Sequence, residues 1–494
     1  MAKKIIIVGA GIAGLATGCY GQLNGYETEI YEMHDLPGGL CTSWKRKGYT
    51  FDGCIHWLMG TNPDTTLYKI WNEIGALDGL DFYKHEMHFQ LEDGKGKSIV
   101  LGADIDKLEK QLLEISPQDE EVILEFTQAV RSFTNFPMPV EKPQDMYGIF
   151  DYFKMMIKMG SKMKEFMKLN KTSIGQFADK FKDPFLREAF PGIMPKDYTL
   201  MVYAMTLATY VNHDAAWPMG GSLEFARNIE KSFLKLGGKI HYNSKVDSIL
   251  AKDDQAVGIR LCDGSEIFAD FIVSASDGYT TIFNMLKGRY IDENIKSLYS
   301  NTPITPTSVQ VSLGVDCDLS KEPYAIAVKL DKPVMVGDTE NSYFSFRHYC
   351  YDPSMAPAGK SVVTTILSSG YDYWEKLYRN KEAYKAEKQK IADIYIKAFE
   401  ERFPYAKGKV EVIDVSTPYT YTRFTGTWKG SYMSWMTTPD KPMPKVPGKL
   451  PGLKNFYMAG QWANGSGGVP VGVMTGRWTL MRLCNDDHRK FKTL

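Results

Sequence analysis

The chain has 494 residues, 59 basic and 59 acidic, with 44% apolar and 13% aromatic residues, which suits large hydrophobic cores and about three domains' worth of chain. A formal charge of zero offers no global basic surface, so nucleic acid is not an expected partner. Seven scattered cysteines without a Cys-x-x-Cys pair argue against a disulfide scaffold or a metal site and for a reducing, cytoplasmic compartment. No run of 18 apolar residues occurs, so no membrane span is expected. The first residues pass straight into Ile5 to Val8, without the apolar stretch of a secretory signal.

Ile5 to Val8 is a β-branched run that ends in Gly9-Ala10-Gly11-Ile12-Ala13-Gly14, followed by small residues at helical spacing. The pattern predicts strand, tight turn and helix. In such a turn Gly9 permits the reversal, Gly11 lets a pyrophosphate approach the backbone, and Gly14 packs helix on strand. Alone the motif is a weak signal, and its bland alternative is a glycine-rich turn. Here a second strand-like run, Glu27 to Glu32, places the Glu32 carboxylate eighteen positions beyond Gly14, where a ribose would need it, with Met33 beside it. Leu36-Pro37-Gly38-Gly39-Leu40 then supplies two more glycines that admit close backbone approach. A long flavin dinucleotide would thread past such a turn, so FAD is the expected cofactor.

Segments near 81–101 and 308–370 alternate in strand fashion and suggest a second sheet. Ser116-Pro117-Gln118-Asp119 has capping-box spacing, and helices are expected from there to about 210, as a lid. Within the lid, Asp151 to Lys171 carries six lysines against two acids and five methionines. Phe150, Phe153, Met156, Ile157, Met163, Phe166 and Met167 fall on one helical stripe. That makes 150–171 a candidate for peripheral contact with the inner face of a membrane; the plain alternative is a helix facing the core.

Pro218 to Ser222 precedes an apolar periodicity that reads as a helix capped by Ser222, ending at Gly237-Gly238. Strand-like runs follow at 239–242, 245–249, 256–264 and 271–276. Leu453 to Trp462 is a strand reaching Gly460, and Gly465-Ser466-Gly467-Gly468 leads into a helical run from Val469. The dipole of that helix would favour the flavin edge that gains negative charge on reduction. Only one strand, glycine turn and helix is followed by a suitable acid, so no separate nicotinamide domain is expected.

The set Gly9-x-Gly11-x-x-Gly14, Glu32, Pro37-Gly38-Gly39 and Phe51-Asp52-x-Cys54-Ile55-His56 resembles the FAD-binding start of the phytoene desaturase family, which includes carotenoid isomerases and retinol saturases. The version at 51–57 is more similar to the saturase and isomerase branches. Leu40 and Gln461 depart from the family, where arginine and aspartate are frequent. The resemblance implies an α/β fold, with a Rossmann-like FAD-binding domain in pieces 1–75, 218–290 and 441–494. A mixed-sheet substrate domain and helical lid would be inserted as 76–217 and 291–440.

The same resemblance places FAD against Gly9, Gly11, Ala13, Gly14, Glu32, Met33, Gly38, Gly39, Leu40, Gly460, Gln461, Gly468 and Val469, with adenine near Val246. It implies a long apolar carotenoid- or retinoid-like substrate whose carbon–carbon double bonds are saturated, desaturated or isomerised. His56 is then the candidate catalytic residue, and Trp57, Tyr210, Trp217 and Trp462 are candidates for the substrate wall. Competing readings are a flavin amine oxidase and a non-catalytic flavin or lipid carrier.

Overall fold

The computed structural model describes residues 2–493 except 135, 137, 161, 440, 442–447 and 466; Ser466 of the expected glycine loop thus lies outside the described residues. Lys4–Val8 forms the centre of a five-stranded parallel sheet. Glu27–Tyr31 and then Lys239–His241 lie on one side of it, Phe271–Ser274 and then Phe456–Met458 on the other. The unbroken run Ile5-Ile6-Ile7 is fully buried, as a parallel sheet covered on both faces requires. Helix Ile12–Leu23 packs against the late helix Val469–Asp486 and against Gly221–Lys235. The first contact is close enough that a Cβ at Gly476 would stand 2.8 Å from the Ala13 carbonyl oxygen.

A second sheet has seven strands in the order Val410–Ser416, Ser308–Val315, Ser361–Ser368, Thr339–His348, Ala325–Val336, Met87–Glu92, Ser98–Gly102. It is mixed, because Ala325–Val336 pairs in parallel with Met87–Glu92. Trp374, Tyr395 and Phe399 join its strands in one apolar cluster, with helix Lys381–Arg402 lying across it. A helical layer around Phe126, Phe177, Phe190 and Tyr203 covers the Met87–Gly102 end.

Three local details differ from the sequence expectations. A helix already runs over Ile105–Ile115, and the next begins at Glu120 after a tight turn. There the Ser116 hydroxyl donates to the Asp119 carboxylate (2.7 Å), which also accepts from the Lys182 (2.8 Å) and Asp183 (2.9 Å) N–H groups, so the pair ties this turn to a later segment and does not cap the helix from Glu120. The helix from Gly221 is capped by Gly220 at φ 91°, not by Ser222, whose hydroxyl donates to Asp52 (2.7 Å) and accepts from the Ile55 N–H (2.8 Å). Lastly, the lysine-rich stripe breaks at Gly160 (φ 43°) into helices Ile149–Met159 and Lys162–Asn170. Phe166 consequently turns inward to stack on Phe136 at 5.7 Å. Phe150 (85% exposed), Phe153 (60%), Met156 (67%) and Ile157 (67%) remain in solvent.

Candidate functional site

The strands of the parallel sheet end on a cavity of about 1190 Å³ lined by Gly9, Gly11, Ile12, Ala13, Glu32, Met33, Gly38, Gly39 and Leu40. Val246, Gly460, Gln461, Trp462, Gly468 and Val469 complete that wall among the residues singled out in the sequence. Gly11 is the N-cap of the first helix, and the first intrahelical bond runs from the Leu15 N–H to its carbonyl (2.9 Å). The N–H groups of the helix's first turn, at Gly11, Ile12 and Ala13 on the cavity wall, therefore have no intrahelical partners, which suits a phosphate. Gly14 does not line the cavity. A Cβ there would lie 1.9 Å from the Gly9 carbonyl oxygen, so its role is contact between helix and turn.

The Glu32 carboxylate is buried at the end of the second strand and accepts from the Ala10 N–H (2.7 Å) and the His34 N–H (2.9 Å). Each of its oxygens keeps acceptor capacity for a ribose hydroxyl. Gly38, at φ 101°, has no space for a Cβ, which would sit 2.2 Å from the Cys41 carbonyl oxygen. On the far side, the Gly460 N–H donates to Thr475 Oγ1 (2.9 Å), fixing the turn ahead of the late helix. This cradle of bare backbone, buried carboxylate and helix N-terminus fits an extended dinucleotide.

A further part of the wall carries no motif that marks it in the sequence. Asp277, Thr280 and the stretch from Asp414 to Thr427 also line the cavity. Asp277 accepts from the Thr280 N–H (2.8 Å) and the Trp428 N–H (2.8 Å), joining the middle of the chain to that stretch. Burial pushes its carboxyl up to about 6 against these donors. Asp52 forms a second clip, accepting from the Ser222 N–H (2.7 Å) and the Cys54 N–H (3.0 Å), and burial likewise raises it to about 6.

Gly53 and Cys54 reach the cavity, and the chain then passes to a second cluster. Trp57 packs edge-on to His88 (5.0 Å between rings) and against Tyr210 (6.0 Å). Tyr210 shares a hydrogen bond with His88 Nδ1 (3.0 Å). Tyr210 and Trp217 are both wholly buried, and the Trp217 indole N–H donates to Asp352 (2.8 Å); neither they nor His56 and Trp57 line the cavity. Trp462 instead faces the cavity and packs edge-on to Trp435 at 5.0 Å. Desolvation, reinforced by the Arg347 charge, holds His56 and His85 down to about 3. His56 is therefore a neutral imidazole near pH 7.

A parallel sheet, a glycine turn, a buried ribose-side acid and a long cavity together define a dinucleotide-binding oxidoreductase. Comparison with known proteins supplies the family. The chain belongs to the flavin containing amine oxidoreductase family, which it matches over residues 12–479, and its cofactor is FAD. It is 25% identical over 515 aligned residues to prolycopene isomerase 1, chloroplastic, of an Oncidium hybrid cultivar, covering 97% of this chain and 84% of that one. It is 29% identical to a lycopene-forming phytoene desaturase of a Paracoccus species, over 56% of this chain and 55% of that one. Among solved structures, cyclohexylamine oxidase from Brevibacterium oxydans shares the fold, with TM-score 0.62, 14% identity and coverage of 99% and 100%.

Proposed function

We propose that the protein is an FAD-dependent oxidoreductase that acts on carbon–carbon double bonds of a long apolar polyene, as saturase, desaturase or isomerase. The observation that carries this reading is the near full-length similarity to prolycopene isomerase. FAD, when bound, supplies hydride transfer. The Gly9–Gly14 turn would hold its diphosphate, Glu32 its ribose, and Gly460, Gln461, Gly468 and Val469 its flavin end. Trp57 and Trp462 would exclude water from the polyene. The depressed basicity of His56 suits placing a substrate through a neutral hydrogen bond better than protonating it.

An amine oxidase reading draws on the shared fold. Against it, the cluster behind Trp57 contains Arg347, and a buried guanidinium repels an ammonium substrate. The test is product mass after incubating flavin-loaded protein with carotenoids and retinol, the flavin either oxidised or pre-reduced. A change of two hydrogens marks saturation or desaturation, and unchanged mass with altered retention marks isomerisation. Unchanged polyenes together with flavin reduction by primary amines would overturn the proposal.

The exposed face of Ile149, Phe150, Phe153, Met156 and Ile157, with Lys154 and Lys158 on the same helix, supports peripheral attachment to an anionic lipid surface, from which an apolar substrate would enter. No helix among the described residues is long and apolar enough to cross a membrane. All seven cysteines are free thiols, which supports a reducing compartment on the cytoplasmic side.

A further inference from the structure

Arg347 lies on strand Thr339–His348, near the centre of the second sheet, and is only 3% exposed. Among the described residues it has no ion-pair partner, and its Nη1 atom has no hydrogen-bond partner. Its guanidinium lies over the rings of Phe89 (4.9 Å) and Tyr324 (5.4 Å). Burial works against its charge, and the phenols of Tyr324, Tyr210, Tyr349 and Tyr351 lie around it. Cation–π contact offsets only part of the cost of taking a guanidinium out of water. A buried cation without a counter-ion calls for an anion from outside the chain.

The neighbouring side chains supply donors for such a group. His85 is 1% exposed, stacks on Tyr324 at 4.5 Å, and neither of its ring nitrogens has a hydrogen-bond partner. The Tyr351 hydroxyl, whose ring meets His85 edge-on at 5.3 Å, is likewise buried and unpaired. Arginine, a neutral imidazole and a phenol together present N–H and O–H groups that match the two oxygens of a carboxylate. The three histidines of the cluster do not form a metal-ligand set among the described residues. Cys54, on the cofactor cavity wall, is three residues from Trp57 in the chain, and Trp57 and Tyr351 are half-buried.

We propose that Arg347, with His85 and Tyr351, binds the carboxylate of an elongated apolar substrate, so that this protein takes carboxylate-terminated polyenes or acyl chains in preference to pure hydrocarbons or alcohols. The assignment rests on the double-bond reading above and narrows its substrate class. Arg347 then fixes register, setting which double bond lies beside the flavin.

The test is calorimetric titration of flavin-loaded protein with all-trans-retinoic acid, its methyl ester and all-trans-retinol, with palmitate and hexadecanol run in parallel. The acids are expected to bind about 10-fold or more tightly than the uncharged analogues. Arg347→Gln should abolish that difference without weakening the alcohols, and Arg347→Lys should keep part of it. Flavin content and melting temperature report whether each variant is folded, and the headgroup comparison in the unmutated protein needs no variant. Equal binding of acid, ester and alcohol, an acid preference that survives Arg347→Gln, or no binding of any acid would overturn the proposal. If palmitate binds through Arg347 while no polyene is altered, the anion site stands and the polyene activity falls. If polyenes are converted without regard to headgroup, the reverse holds.

Discussion

Gly11 and Gly14 belong to one turn, yet the structure assigns them opposite liabilities. Gly11 has φ −66° and ψ 174°, a conformation open to any residue, and a Cβ there would meet only the Gly38 carbonyl oxygen, at 3.8 Å. Its side chain would enter the cavity where the diphosphate must pass. Gly11→Val should therefore fold normally and lose cofactor affinity; overpacking of about 1–3 kcal/mol corresponds to a Kd raised about 5- to 160-fold. Gly14→Ala places its Cβ 1.9 Å from the Gly9 oxygen, so helix and turn must part and the fold itself weakens by a similar energy. Flavin-stripped proteins titrated with FAD by fluorescence give the first quantity, and thermal melting of the same apoproteins gives the second. If Gly11→Val bound FAD like the parent, or melted as early as Gly14→Ala, the roles assigned to this turn would be wrong.

Further outcomes follow from the buried charges and the exposed face. His85 titrates near 3 in the folded protein against 6.5 when unperturbed, so the stability it contributes is complete above pH 6.5 and is lost as the pH falls, at about 1.4 kcal/mol per pH unit. His85→Phe, which keeps the stack on Tyr324, should flatten the fall in melting temperature between pH 6.5 and 5; an unchanged slope refutes the shift. Asp52 has the opposite sign: its carboxyl is raised from 3.8 to about 6, so its penalty grows as the pH rises through that interval and partly offsets the histidines. Asp52→Ala leaves the Ser222 and Cys54 N–H groups without their acceptor and should cost about 1–3 kcal/mol near pH 7, read as a lower melting temperature. Phe150→Asp with Phe153→Asp should abolish flotation with vesicles containing anionic phosphatidylglycerol while flavin content stays unchanged; equal flotation removes the helix from the membrane reading.

What the sequence disclosed was local chemistry. The turn from Gly9 to Gly14, the strand ending at Glu32 and the helix from Val469 are each specified by residues close together in the chain. The cluster at Arg347 is not, because His56 and His85 lie in loops, Tyr210 on helix Leu200–Val211 and Arg347 on strand Thr339–His348, and they meet only in the tertiary fold. Ser222 shows a subtler loss: its type suits a helix cap, but the structure spends its hydroxyl on Asp52 and leaves the cap to Gly220. Phe166 falls on the apolar stripe by periodicity, but Gly160, a glycine at φ 43°, breaks the helix before it and the ring stacks on Phe136. Most of the stretch from Asp414 to Thr427 lines the cofactor cavity without a glycine motif to mark it in the sequence.

The order of the first sheet bears on how the protein is made. Phe456–Met458 pairs with Phe271–Ser274, which pairs with Lys4–Val8, so that sheet stays short of its last strand until residues 456–458 have left the ribosome. The strands of the second sheet all lie earlier in the chain than that last strand and are free to assemble first. Flavin capture is in consequence a late event of biosynthesis. Premature termination before residue 456 leaves Phe271–Ser274 as an open apolar edge, a product suited to aggregation and to clearance by cellular quality control.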